Sequence, residues 1–196
     1  AEYLPRAESV DLTGGGEPTL SSHLVEMVRM ARQAGCEVGF STNAARLTPE
    51  LSQKLVDLGL DWISFSVDAA TASLYERIRQ GASFETLIEN IRALQSIKEK
   101  GGLSKPRMMM VFVMMGEGQP ESANFHELPQ FIDLAHSLGV EQVIAKNLDV
   151  IIKDGDDRRR LFQHDGSSDA QVAAVKTALA QAQERARRLG INFRTY

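Results

Sequence analysis

"QAGCEVGFS", residues Gln33–Ser41, joins the end of an apolar-periodic stretch to an apolar run through one glycine. The same join recurs as "DLGLDWISFS" (Asp57–Ser66), "SLGVEQVIAK" (Ser137–Lys146) and "RLGINFRTY" (Arg188–Tyr196). Glycine takes the left-handed backbone that closes a helix without a Cβ clash. Gly35, Gly59, Gly139 and Gly190 therefore read as helix ends, each followed within about three residues by a strand. The segments ahead of them carry helical spacing: Leu24, Met27, Val28 and Ala31; Leu87, Ile88, Ile91 and Leu94; Phe125, Leu128, Ile132 and Ala135; Val172, Val175, Leu179, Ala182 and Ala186. Thr48 before Pro49 marks one helix start, and Asn124 with Glu127 three residues on reads as a capping box at another.

Outward from these joins, strands are predicted near Ser9–Leu12, Glu37–Ser41, Trp62–Val67, Arg107–Met114, Glu141–Lys146 and Ile191–Arg194. Strand and helix alternate throughout, which calls for an α/β fold with a parallel sheet and right-handed crossovers. Periodicity leaves an open sheet and a barrel equally allowed. In both, ligands bind at the carboxyl ends of the strands. The expectation is one domain over residues 1–196, with Lys153–Gly166, containing "DGDDRRR", as an irregular excursion before the last helix.

The bulk numbers narrow the function classes. Among 196 residues, 43% are hydrophobic and 24% charged, as in ordinary globular chains. A formal charge of -4 gives nucleic-acid binding no electrostatic footprint. No apolar run reaches the length of a membrane helix, and no signal segment opens the chain. Cys36 is the only cysteine, which excludes an internal disulfide and any multi-cysteine metal site within these residues. A reducing cytoplasm is the default compartment. His23, His126, His136 and His164 lack metal-ligand spacing, and the methionines of "RMMMVFVMM" read as core filling.

The strand ends hold the candidate chemistry. Gly14, Gly15 and Gly16 follow the first strand, where bare backbone can approach a ligand or make a tight turn. The spacing is neither a dinucleotide fingerprint nor a phosphate loop. Pro18 favours an extended Glu17, whose carboxylate is free to hold a cation or brace the loop. Ser41, Thr42 and Asn43 close the second strand, as cap or as ligand donors. Ser66 and Asp68, two apart at the end of the third, are expected on one face, where they could grip adjacent hydroxyls. Arg77 and Arg79 follow on a short helix, and an arginine there can meet a carboxylate bidentately.

In order along the chain, "GGGEP", "STN", "SFSVDA", "YERIRQG" and "NFHEL" resemble the radical S-adenosylmethionine (radical SAM) superfamily, over roughly Val10 to Val150. The spacing in "SVDAATASLYERIRQGASFETLIENI" looks most like the branch with a cysteine-rich SPASM or twitch-type extension. The resemblance implies a partial (β/α)6 TIM-like barrel, an open curved parallel sheet with outer helices. It implies a 4Fe–4S cluster held by CxxxCxxC, SAM bound to that cluster, and reductive cleavage to a 5′-deoxyadenosyl radical that abstracts hydrogen from a substrate. Carried onto this sequence, Gly14, Gly15, Gly16 and Glu17 would line the methionyl amino group. Thr42 and Asn43 would lie along the cofactor, Ser66 and Asp68 at its ribose or methionyl end. Arg79 would meet the carboxylate, and the adenine would rest near Leu148.

CxxxCxxC is absent from these 196 residues. The likeness therefore implies that the first strand and the cluster loop are missing from this chain, which would be inactive alone. It also implies an exposed edge near residues 9–13 that pairs with a second copy or lies under Ala1–Arg6. The substrate, a peptide, a protein or a small molecule, is left open. So are two other readings: a natural cluster-less binding or scaffold module, and an unrelated βα enzyme taking a phosphorylated metabolite.

Overall fold

The computed structural model describes residues 6–116, 123–147 and 169–196. Six strands form one sheet in the order β1 (Ser9–Asp11), β2 (Glu37–Thr42), β3 (Trp62–Ser66), β4 (Arg107–Met114), β5 (Gln142–Asn147) and β6 (Asn192–Thr195). The sheet is parallel, as the alternation of strand and helix requires, and open, which periodicity alone did not decide. Helices α1 (Leu24–Gln33), α2 (Pro49–Asp57), α3 (Ala72–Ile78), α4 (Phe84–Lys100), α5 (Leu128–Ser137) and α6 (Asp169–Leu189) fill the crossovers. The four joining glycines sit at φ +82, +77, +68 and +72, the left-handed turn that only glycine takes freely.

The chain divides into two compact units, one of residues 1–66 and 85–109, the other of 67–84 and 110–196. In the first, β1 pairs with β2 and β2 with β3, and α1 packs on β2 and α2. Val28, Phe40, Leu55, Ile63, Phe65 and Ile91 are fully buried there. Each contributes about 1.5–3 kcal/mol as an upper bound. Asp61, just ahead of β3, is the polar anchor. Its carboxylate accepts from Lys105 Nζ (2.5 Å), Arg32 Nη1 (2.9 Å) and the Val38 amide (2.9 Å). Burial pushes its pKa up, but the Lys105 bond, the Val38 amide and the two cations outweigh that and hold it below the usual value.

In the second unit α5 and α6 lie along one another and β5 pairs with β6. Phe112 of β4 meets Phe131 of α5 edge to face, with ring centroids 4.8 Å apart. The periodic residues of α4 and α5 are buried as read from spacing, while Met27 of α1 and Val172 and Leu179 of α6 are only half-buried. Thr48 caps α2 by accepting from the Leu51 amide.

Two local expectations are corrected. β3 ends at Ser66, so Asp68 lies beyond the strand with φ +67 and does not continue the alternation. Asn124 and Glu127 do not form a capping box, because both side chains bond to the loop after β3 instead. The excursion Lys153–Gly166 and Leu148 lie outside the described residues. Among the described residues no helix is long and apolar enough to cross a membrane.

Candidate functional site

The first unit carries two of the predicted loops, one at the carboxyl end of β1 and one at that of β2. Gly14, Gly15 and Gly16 are exposed, and none takes a left-handed φ. A Cβ built on any of them meets nothing within 4 Å. Neither backbone conformation nor packing among the described residues calls for glycine at these three positions. Glu17 braces the loop. Its Oε1 accepts from the Thr19 amide (3.0 Å), Thr19 Oγ1 (2.7 Å) and Thr42 Oγ1 (2.6 Å), and its Oε2 from the Asn43 amide (2.8 Å). Burial opposes its ionisation, but the Asn43 amide and the threonine donors prevail and hold the carboxyl below its usual value.

Thr42 and Asn43 thus meet Glu17 directly, one through its hydroxyl and the other through its amide. Thr42 Oγ1 also accepts from the Ala44 amide (2.9 Å), and Asn43 Oδ1 from that of Ala45 (2.9 Å). Thr13, which the sequence reading passed over, ties the same loops: its Oγ1 donates to Asp11 and accepts from the Ser41 amide (2.9 Å). Ser66 ends β3, half-buried.

The second unit holds Asp68 and Arg79. Asp68 is 4% exposed, with Oδ1 accepting from the Val113 amide (2.8 Å) and Oδ2 from Arg79 Nη2 (2.5 Å). Both carboxylate oxygens are engaged within the protein. Arg79 caps the end of α3, half-buried, and its Nε is buried without a hydrogen-bond partner. A guanidinium held on one side with a buried donor unpaired on another is suited to a carboxylate ligand. Arg77, by contrast, is exposed. Sequence reasoning did not find that Asp68 and Arg79 pair, because the bond spans a turn whose left-handed residue is not glycine.

Cys36 is fully buried at the start of β2, with its Sγ 3.2 Å from the Ala7 carbonyl. No group of three or more His, Cys, Asp or Glu side chains among the described residues could hold a metal ion. Arg79 Nε is a donor that a ligand carboxylate could meet, whereas a chain with one cysteine does not fit a 4Fe–4S cluster.

Comparison with known proteins places the chain in a family. The chain is 30% identical over 152 residues to the "Tungsten-containing aldehyde ferredoxin oxidoreductase cofactor-modifying protein" of Pyrococcus furiosus, covering 76% of this chain and 40% of that protein. It is 31% identical over 162 residues to the "Probable GTP 3',8-cyclase" of Saccharolobus solfataricus, covering 80% of this chain and 48% of that one. The chain thus spans less than half the length of either relative. Its fold superposes on Streptococcus suis SuiB bound to S-adenosylmethionine with a TM-score of 0.70 at 13% identity, covering 96% of this chain and 39% of SuiB. The superfamily uses SAM and a 4Fe–4S cluster. Residues 5–128, well over half of the chain, match the Radical SAM superfamily, and the chain belongs to it.

Proposed function

We propose that this chain is the SAM-binding part of an enzyme that cleaves SAM reductively to a 5′-deoxyadenosyl radical for hydrogen abstraction from a second substrate. The carrying observation is the run Gly14–Gly16, which conformation and packing among the described residues leave unexplained. Backbone carbonyls there receive the methionyl amino group, and Glu17 stiffens the loop through its bonds to Thr42 and Asn43. Thr42 and Asn43 lie along the cofactor, and Ser66 serves its ribose or methionyl end. Asp68 belongs to the site by aiming Arg79 at the cofactor carboxylate. Leu148, outside the described residues, takes the adenine. The cluster, when bound, supplies the electron for SAM cleavage, and its ligands are not among these residues.

A cluster-less module that binds SAM without cleaving it is a second reading, favoured by the single buried cysteine. The iron content of the whole purified protein separates the two.

The binding proposal is tested on the chain itself. SAM titrated into it is expected to shift the amide resonances of Gly14–Glu17. Gly15→Val is expected to weaken SAM at least tenfold without lowering the melting temperature, since its Cβ meets no atom of the fold. Unchanged affinity in that variant overturns the proposal.

A further inference from the structure

Two non-glycine residues among those described sit in the left-handed region, Ala44 at φ +58 and Asp68 at φ +67. An L-residue pays for that conformation, and it persists only where its surroundings impose it. Both follow the end of a strand, β2 and β3 respectively. In both, an asparagine side chain donates to the carbonyl of the strained residue. Asn90 Nδ2 of α4 binds Ala44 O at 2.8 Å, and Asn124 Nδ2 binds Asp68 O at 2.8 Å. The recurrence, once in each unit, marks a device rather than an accident of one loop.

The instance at Asp68 is the more developed. Asn124 is fully buried and also donates to Val113 O (2.8 Å), while its Oδ1 accepts from the Met115 amide (2.7 Å). It therefore fixes the Asp68 peptide to the end of β4, the strand whose Val113 amide binds the Asp68 carboxylate. Three residues on, Glu127 Oε2 accepts from the amides of Ala70 (2.6 Å) and Thr71 (3.1 Å), and its Oε1 from Thr71 Oγ1 (2.6 Å). Thr71 is the cap of α3, at whose far end Arg79 sits. The stretch "NFHEL" thus grips both ends of the segment that carries Asp68 and launches the helix bearing Arg79.

We propose that Asn124, supported by Glu127, is a positioning residue that holds the Asp68–Arg79 pair in the geometry for reading a ligand carboxylate. The inference rests on the SAM-binding reading above. Without the Asn124 bond the Asp68 peptide loses its tie to the end of β4, and only the carboxylate's own bonds oppose relaxation out of the left-handed region. Its carboxylate would then swing off the Val113 amide and take Arg79 with it. The ligand chemistry concerned is the α-carboxylate of an amino-acid moiety attached to a nucleoside.

The test compares SAM with decarboxylated SAM, which lacks only that carboxylate, by calorimetry on the full chain. Wild-type protein is expected to prefer SAM by about tenfold, the worth of one charge-assisted contact. Arg79→Ala removes the preference. Asn124→Ala is expected to reduce it to within about twofold while leaving affinity for decarboxylated SAM unchanged, and to alter the Asp68 amide–Hα coupling that reports φ. A merely structural role would weaken both ligands alike. If Asn124→Ala does not fold, Glu127→Gln, which keeps the side-chain volume, is read by the same ratio. Should the asparagine and glutamate variants keep the preference that Arg79→Ala loses, the positioning role is overturned and the SAM reading stands. Should wild-type protein show no preference, the SAM reading falls at Arg79 and takes this inference with it.

Discussion

Glu17 concentrates four donors on one half-buried carboxylate, and their net effect is to favour its ionised form. Its folded pKa lies below its unfolded value, so its contribution to stability is fully present above the ordinary glutamate range. The contribution is lost as pH falls through that range and into the lowered folded value. Charged hydrogen bonds contribute more than neutral ones, but partial exposure screens this group, so a loss of about 1 kcal/mol is expected on Glu17→Gln at pH 7. Urea titrations at pH 7 and pH 3 check it: the variant should lose less stability than wild type on acidification. Equal losses would mean that the carboxylate is no more stabilised folded than unfolded. The sequence allowed Glu17 to hold a cation or brace its loop; the structure shows the brace. Asn124 and Glu127 were harder to read, because an N-x-x-E spacing looks like a local cap. Their partners lie 56 and 57 residues away, and nothing local announces that.

At the scale of elements, the helix–glycine–strand join was legible because each cue is local: a left-handed glycine, a 3.6-residue period, then a short apolar run. What the same segment did not announce is Gly39, the second glycine of "QAGCEVGFS". It pairs with Trp62 across β2 and β3, and a Cβ there would fall 2.2 Å from Trp62 Cδ2 and 2.4 Å from the Trp62 carbonyl oxygen. The tryptophan ring lies against bare backbone, a long-range demand that strand propensity hides. Gly39→Ala should therefore cost about 3 kcal/mol, the upper end of overpacking, measured as a shift of the denaturation midpoint with unchanged slope. Trp62→Ala should fail to rescue it, since the carbonyl remains in the way. Rescue by that second change would show that the ring alone excludes the Cβ. The end of β3 was misplaced by one residue for a related reason. Val67 is apolar and buried, so patterning extends the strand, while the left-handed Asp68 that follows requires the chain to leave it.

At the scale of the whole molecule, the superfamily uses SAM and a 4Fe–4S cluster, yet these 196 residues hold only one cysteine, buried at the amino end of a strand. Iron–sulfur clusters are held by several thiolates, so the chain incubated with iron and sulfide should retain no stoichiometric iron after gel filtration. The consequence for binding follows from chelation. On the proposed reading a bound cluster would anchor the methionyl end of SAM, and without it the chain's own groups would bear the cost of ordering a flexible ligand. Buried area does not recover that loss, because translational and rotational freedom must still be given up. The iron-free chain should therefore bind SAM with a Kd on the order of hundreds of micromolar, about −5 kcal/mol. Calorimetry decides between outcomes. Binding in that range that weakens further on Arg79→Ala supports a cofactor-shaped body without its anchor. Micromolar binding by the iron-free chain would show that its own residues fix the methionyl end unaided, and the division of labour argued here would be wrong.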